Sequence, residues 1–238
     1  MSEKDENLKF IFVAGTRATE ELFQELPLGR SLSILRKIQS FEECIFYRNN
    51  EGLPRIYNEA IHQYREKYSN KTCILIFVHD DVWINDVFLF EKLLKARGEF
   101  NIVGLAGTSG KLCNRPISWW NSLINTQSGA VAHPLSGNQY CFCYYGVTPQ
   151  WCNFIDGLFI AVDLQEVLKA EVTFDEDPLF KFDFYDLSFC KRAISAGLTI
   201  GTWPIWCSHD SKRPWPHPGI VEAEARYFEK YSRCCETV

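Results

Sequence analysis

Apolar residues along the first half of the chain fall into short dense runs, separated by segments with helical spacing. Lys9-Phe10-Ile11-Phe12-Val13-Ala14 ends at Gly15-Thr16 and predicts an opening strand. Residues 31–38 have helical spacing, and 43–47 predict a second strand. Asn49-Asn50-Glu51-Gly52 reads as a turn, after which Leu53, Ile56, Tyr57, Ala60, Ile61 and Tyr64 recur three and four apart, as on one helix face. Asn70 breaks that helix. Residues 72–78 then form a continuous apolar run, as expected of a strand covered on both faces. Residues 86–97 predict an amphipathic helix capped by Asp86, and 101–106 another buried strand. Repeated strand–helix–strand units predict an α/β fold, a mostly parallel central sheet with flanking helices. In such sheets the ligand lies beyond the carboxyl ends of the strands.

The pattern changes after Gly107. Short alternating runs, Ala130-Val131-Ala132 and residues 140–145, predict a small antiparallel segment. Residues 183–196 predict a helix ending at Gly197, 198–206 a strand and 221–231 a terminal helix. With no internal repeat or low-complexity linker, the 238 residues read as one domain.

Composition narrows the classes. With 46% hydrophobic and 23% charged residues the chain is neither disordered, collagenous nor a coiled coil. A net charge of −5 lacks the basic excess of sequence-independent nucleic-acid binding, so no nucleic-acid partner is expected. The polar start, Met1 to Asn7, has no apolar signal-peptide core behind it, and nothing approaches the roughly 18 apolar residues of a membrane span. A cytoplasmic protein is expected, at most peripheral at the inner face of a membrane. The 10 cysteines fit that reading as reduced thiols: Cys44 and Cys73 sit in apolar runs as small buried hydrophobes. Cys141 and Cys143, and the adjacent Cys234 and Cys235, give no C-x-x-C pair, which leaves a metal cluster or redox pair as the second option.

Chemistry concentrates where the third strand empties into His79-Asp80-Asp81. Two adjacent carboxylates repel each other and favour a cation, and oxygen ligands suit Mg2+ or Mn2+, which in turn bind diphosphate oxygens. The plainer reading makes Asp80 or Asp81 a helix cap.

The run Ile76-Phe77-Val78-His79-Asp80-Asp81-Val82 resembles the strand and acidic motif of GT-A-fold glycosyltransferases, especially those like family 2. Three later blocks are similar to that family in the same order. They are the acceptor-side strand at 154–162, the Glu-Asp helix motif at 182–193 followed by Ala196-Gly197, and a late histidine, His209. The resemblance covers nearly the whole chain. It implies inverting transfer of a sugar from a nucleotide-diphosphate donor, UDP- or GDP-linked, to a hydroxyl of a glycan or glycolipid with Mn2+ or Mg2+, as in surface polysaccharide or lipopolysaccharide assembly. It also implies a nucleotide-binding half over about residues 1–106 and an acceptor-side half over 107–238.

Residue by residue, the resemblance makes Asp81 a metal ligand and His209 a second ligand or a donor to the diphosphate. His79 replaces the first aspartate of the family's Asp-x-Asp pattern, so it and Asp80 fall at the donor, with His79 itself able to ligate metal through a neutral nitrogen. Asp186 keeps the position of the catalytic base, while Tyr185 replaces the preceding glutamate. An aspartate in the first helical turn is stabilised as the anion, which lowers its basicity. Asp156 is the alternative base or a ligand of the acceptor hydroxyl, and Asp183 reads as a cap. Thr16 and Arg17 approach the donor after the first strand, and Asn49 or Asn50 stands where the family often holds the base ring, unless both are turn residues only. Asn58 matches an asparagine of structural or donor-side role. Gly107-Thr108-Ser109-Gly110-Lys111 lacks the full phosphate-loop pattern because Leu112 follows, yet Lys111 stays a candidate donor contact.

Trp119, Trp120, Tyr140, Tyr144, Tyr145 and Trp151 fit either stacking on an acceptor sugar or the core of an antiparallel flap. Lys212, Arg213, Trp215 and His217 lie in a proline-rich loop of the kind that closes over a donor. Two other classes stay open. A carbohydrate- or nucleotide-sugar-binding protein would have kept the fold and lost the chemistry. A nucleotidyltransferase would need a richer glycine and basic loop than Ala14-Gly15-Thr16-Arg17-Ala18.

Overall fold

The computed structural model describes residues 8–68, 71–110, 116–121, 124–136, 139–211 and 218–231. The first half alternates strand and helix as expected, except that α1 has no counterpart in the apolar pattern and α2 starts before the expected 31–38: β1 (Leu8–Gly15), α1 (Glu20–Phe23), α2 (Pro27–Leu35), β2 (Glu42–Phe46), α3 (Leu53–Lys67) and β3 (Thr72–Val78). Then come β4 (Val82–Ile84), α4 (Leu89–Arg97), β5 (Ile102–Gly104), β6 (Ala106–Thr108), β7 (Gln127–Pro134), β8 (Tyr140–Gly146) and β9 (Gln150–Trp151). The chain closes with β10 (Phe154–Ile155), β11 (Phe159–Asp163), α5 (Leu164–Lys169), α6 (Tyr185–Ser195), β12 (Ile200–Thr202), β13 (Cys207–His209) and α7 (Ile220–Tyr231).

The larger sheet has the order β2-β1-β3-β11-β5-β12-β9. Strands β2, β1 and β3 run parallel, β11 runs antiparallel between β3 and β5, and β12 is parallel to β5. The result is a mixed α/β fold with a mostly parallel central sheet. Phe12, Phe77 and Phe159, on three adjacent strands, are fully buried, and every residue of β3 from Cys73 to Val78 is buried, as the uninterrupted apolar run requires. The edge strand β2 is only half-buried, and its Glu42 and Glu43 pair with Lys67 and Arg36, charges that discourage further strand addition.

The second sheet has the order β10-β6-β7-β13-β4, with β8 on β7. Two expectations of unbroken strands fail here, for one reason. Residues 101–106 split into β5 and β6 at Leu105, and 154–162 split into β10 and β11 at Asp156-Gly157-Leu158. β5 pairs with β11 in one sheet and β6 with β10 in the other, so the two segments cross between sheets together. A continuous apolar run hides such a bend because both halves are buried. Glycine is needed at the crossing: a Cβ on Gly107 would lie 2.1 Å from the Phe154 carbonyl oxygen. Residues 198–206 divide likewise, with β12 ending at Thr202 and the chain resuming as β13 after Pro204. β4, β9 and α5 were not legible, being short elements defined by their partners.

Helix caps differ too. The cap of α4 is Phe88 rather than Asp86, whose carboxylate accepts from Phe88 N at 3.0 Å one step earlier and from Trp206 N at 3.0 Å. Phe184, not Asp183, precedes α6, with φ of 62°. Gly197 does follow that helix in the left-handed conformation, φ 83°. Asn58 resolves as structural. Buried on α3, it accepts from Phe174 N at 2.8 Å and donates to Phe174 O at 3.0 Å, tying the 172–177 loop to that helix. Asn58→Ala leaves both backbone groups without that partner and is expected to lower stability by about 1–3 kcal/mol in urea unfolding. An unchanged urea midpoint would show that the loop contributes nothing to the global fold.

Candidate functional site

β3 delivers His79 to the edge of the sheet, where its backbone N–H donates to Leu158 O at 3.1 Å, and a tight turn carries the chain through Asp80 and Asp81 into β4. β4 pairs antiparallel with β13, setting His209 opposite Val82, and Asp210 N donates to Asp81 O at 2.9 Å. A ladder of three residues therefore closes a separation of more than 120 positions in sequence. His209 Nε2 lies 3.2 Å and His79 Nδ1 4.0 Å from Asp81 Oδ1.

The ligand atoms of these three residues all lie within 4.8 Å of one another, close enough to share one ion. Asp81 Oδ1 is shut off from solvent without a properly aligned hydrogen bond; the 3.2 Å approach of His209 is an ion-pair contact rather than an aligned bond. Burial works against the charges of both partners, but their mutual attraction prevails, lowering the Asp81 pKa and raising that of His209. A carboxylate oxygen so deprived of donors, with two imidazoles turned to it, fits a divalent cation. His133 stands beyond, its ring 5.8 Å from that of His209, with its pKa lowered by burial and by His209.

A second cluster adjoins the first through Gly157. Tyr185 OH lies 2.7 Å from His79 Nε2 and 2.8 Å from Gly157 O, while Gly157 N donates to Asp186 Oδ2 at 2.9 Å. Asp186 Oδ1 accepts from Leu187 N at 2.8 Å. Neighbouring Asp156 accepts from Leu158 N at 3.1 Å and from Trp119 Nε1 at 3.1 Å. Despite those hydrogen bonds and its place in the first turn of α6, burial first and the Asp156 charge second lift the Asp186 pKa to about 7. The helix-dipole expectation of a less basic Asp186 is thus reversed: close packing and a like charge outweigh a terminal dipole.

The donor-side candidates separate. Thr16 is buried and donates to Asp80 Oδ2 at 2.6 Å, which joins the end of β1 to the acidic turn; burial raises the Asp80 pKa. Arg17 is exposed, near enough to Asp80 to favour its charge. Asn49 Oδ1 accepts from Glu51 N at 2.9 Å, the turn role that the sequence left open, and Asn50 is exposed beside it. Lys111 and the 212–217 loop lie outside the described residues.

The aromatics also divide. Trp119 and Tyr145 pack together at 4.8 Å beside Asp156, on the site's face of the second sheet. Strand alternation turns Tyr140, Phe142 and Tyr144 to the opposite face, where Phe142 stacks on Trp206 at 5.4 Å. Tyr140 and Tyr144 therefore do not face the His209 site. Cys73, as expected, is a buried hydrophobe, its thiol pushed up to about 12 by burial.

Sequence reasoning missed Gly157, His133 and the Trp119–Asp156 bond. Only Tyr185, as the odd residue in a carboxylate motif, carried a signal.

These features define a class. A family model described as "Glycosyltransferase like family" matches residues 22–231, and the chain belongs to that family. The motif resemblance holds: this is a glycosyltransferase of the GT-A, family 2-like kind. Its fold is similar to that of the mannosyltransferase PcManGT from Pyrobaculum calidifontis in complex with GDP-Man and Mn2+. That match has a TM-score of 0.53 at 12% identity and covers 94% of this chain and 64% of that one. Lower similarity links the chain to A197 from STIV, with a TM-score of 0.48 at 10% identity over 88% of this chain and 100% of that one. A glycosyltransferase involved in glycosylation of the major capsid of PBCV-1 matches with a TM-score of 0.41 at 9% identity over 92% and 98%. No curated protein matches the chain.

The raised Asp186 pKa has a consequence for stability. Folded Asp186 holds its proton to about 7, whereas an unfolded aspartate releases it near pH 4. The folded chain binds more protons across that window, so this contribution is present below about pH 4 and is lost as pH rises through 7. Urea midpoints measured from pH 5 to 8 are expected to fall less steeply with pH in Asp186→Asn than in the wild type. Parallel slopes would sink the assignment.

Proposed function

We propose that this glycosyltransferase uses a divalent cation and transfers a sugar, with inversion, from a nucleotide-diphosphate donor to a hydroxyl of a glycan or glycolipid. The observation that carries this reading is the pair of unlike acidic sites linked through Gly157, Tyr185 and His79. Asp81 sits among imidazoles with its pKa lowered, and Asp186 sits beside Asp156 with its pKa raised. Such divergence separates a carboxylate that holds charge from one that takes a proton.

In this reading His79, Asp81 and His209 hold the cation. Once bound, it supplies positive charge against the leaving diphosphate. Two nitrogens among the three donors favour Mn2+ over the oxygen-loving Mg2+. Asp186 accepts the proton of the acceptor hydroxyl, since a base with a pKa near 7 combines adequate ionisation with adequate basicity. Asp156 raises that basicity, and Trp119 holds Asp156 in place through its indole N–H.

Residues 1–106 form the donor-facing half, with Thr16 bracing Asp80 and Arg17 offering a guanidinium to the diphosphate, while 107–238 form the acceptor side. A GDP- or UDP-sugar donor agrees with the GDP-Man and Mn2+ bound by the fold relative. Transfer in surface polysaccharide or lipopolysaccharide assembly completes the proposal. Among the described residues no helix is long and apolar enough to cross a membrane.

A panel of UDP-, GDP-, CMP- and dTDP-sugars with Mn2+, monitored for released nucleotide, tests the reaction. Absence of both transfer and slow donor hydrolysis throughout would leave a binding protein. Asp81→Ala is expected to abolish Mn2+-stimulated donor binding in calorimetry; equal affinity with and without Mn2+ in the wild type rules out the metal role. Asp186→Asn should retain donor binding and lose roughly 10²–10⁴-fold in transfer rate. Wild-type turnover in that variant would transfer the base role to Asp156.

A further inference from the structure

Tyr185 stands where the family pattern carries a glutamate, and its fully buried hydroxyl bridges two atoms. It lies 2.8 Å from Gly157 O and 2.7 Å from His79 Nε2. A carbonyl oxygen only accepts, so the single phenolic proton goes to Gly157. The contact with His79 is then a hydrogen bond only when Nε2 carries the proton. A neutral imidazole has one N–H, which puts the ring's lone pair on Nδ1, the nitrogen facing Asp81 Oδ1 at 4.0 Å.

We propose that Tyr185 is a positioning residue: through the chain Gly157 O, Tyr185 OH and His79 Nε2 it sets the tautomer in which His79 Nδ1 ligates the cation beside Asp81 and His209. The inference rests on the metal-dependent reading above and adds what that reading lacks, a reason for histidine and tyrosine to replace two family carboxylates in one chain. A glutamate at 185 would accept from Nε2–H but has no proton for Gly157 O when ionised, and it would place a further negative charge beside Asp186. Tyrosine accepts and donates at once while neutral.

The backbone is built around this bridge. A Cβ on Gly157 would lie 2.2 Å from Tyr185 OH and 2.6 Å from its Cζ, so only glycine lets the ring seat. Phe184, immediately before Tyr185, is a buried non-glycine residue in the left-handed region, φ 62° and ψ 0°, a conformation retained where surrounding structure demands it. Phe182 flanks the same imidazole, ring centroids 5.4 Å apart.

The test uses the full chain labelled with 15N-histidine, metal-free at pH 8, with the His79 signals assigned by their loss in His79→Gln. Protonated Nε2 and unprotonated Nδ1 are expected for His79. Tyr185→Phe is expected to weaken Mn2+ binding 10–100-fold in calorimetry, the range typical of a lost hydrogen bond to a metal-ligating histidine. An Nδ1–H tautomer in the wild type overturns the proposal, as does folded Tyr185→Phe that binds Mn2+ as tightly as wild type. Wild-type protein that takes up no Mn2+ overturns the metal reading along with it, a result distinct from wild-type binding that the substitution leaves unchanged. If Tyr185→Phe does not fold, the wild-type tautomer decides alone.

Discussion

The two clusters of the candidate site meet at the backbone of Gly157. Its carbonyl accepts a hydrogen bond from Tyr185 OH and its N–H donates to Asp186, two consecutive residues that open α6. The arrangement works because position 157 has no side chain: a methyl group there would overlap the tyrosine ring. With the helix seated at that distance, Tyr185 reaches His79 at the end of β3 and Asp186 meets Asp156 at the end of β10. One backbone approach thereby couples the imidazole side of the site to the carboxylate side.

The same stretch is where the chain changes sheets. β10 and β11 part at Asp156-Gly157-Leu158 as β5 and β6 part at Leu105, and each half pairs with its counterpart. The crossing exposes polar groups at the carboxyl ends of buried strands, the place where open α/β sheets bind ligands. His209 arrives by a separate route, along the β4–β13 ladder, which makes the second sheet necessary to the site rather than an appendage.

Electrostatics then sets chemically identical groups apart. Asp81 and Asp186 are both crowded and both penalised by burial. Asp81 has imidazoles as neighbours and stays ionised, whereas Asp186 has Asp156 and becomes basic. The helix terminus, which by itself argues for a weak base, is overruled because desolvation and a like charge at short range exceed a terminal dipole.

The sequence by itself determined the first three strands, α3 and the end of α6 at Gly197, because apolar periodicity and a glycine signal are local properties. It also pointed to the family, and within it to Asp81, Asp186, Asp156 and His209 as candidates, because four motif blocks recur in order. Only the tertiary structure decided where buried runs bend between sheets, since an apolar residue reads the same on either side of a crossing. It decided as well that Asn49 serves a turn and that Tyr140 and Tyr144 face away from His209, which depends on strand register. The basicity of Asp186 and the bond between Tyr185 and His79 belong wholly to that level. Both arise from contacts between residues far apart in sequence, and no local pattern encodes a distance.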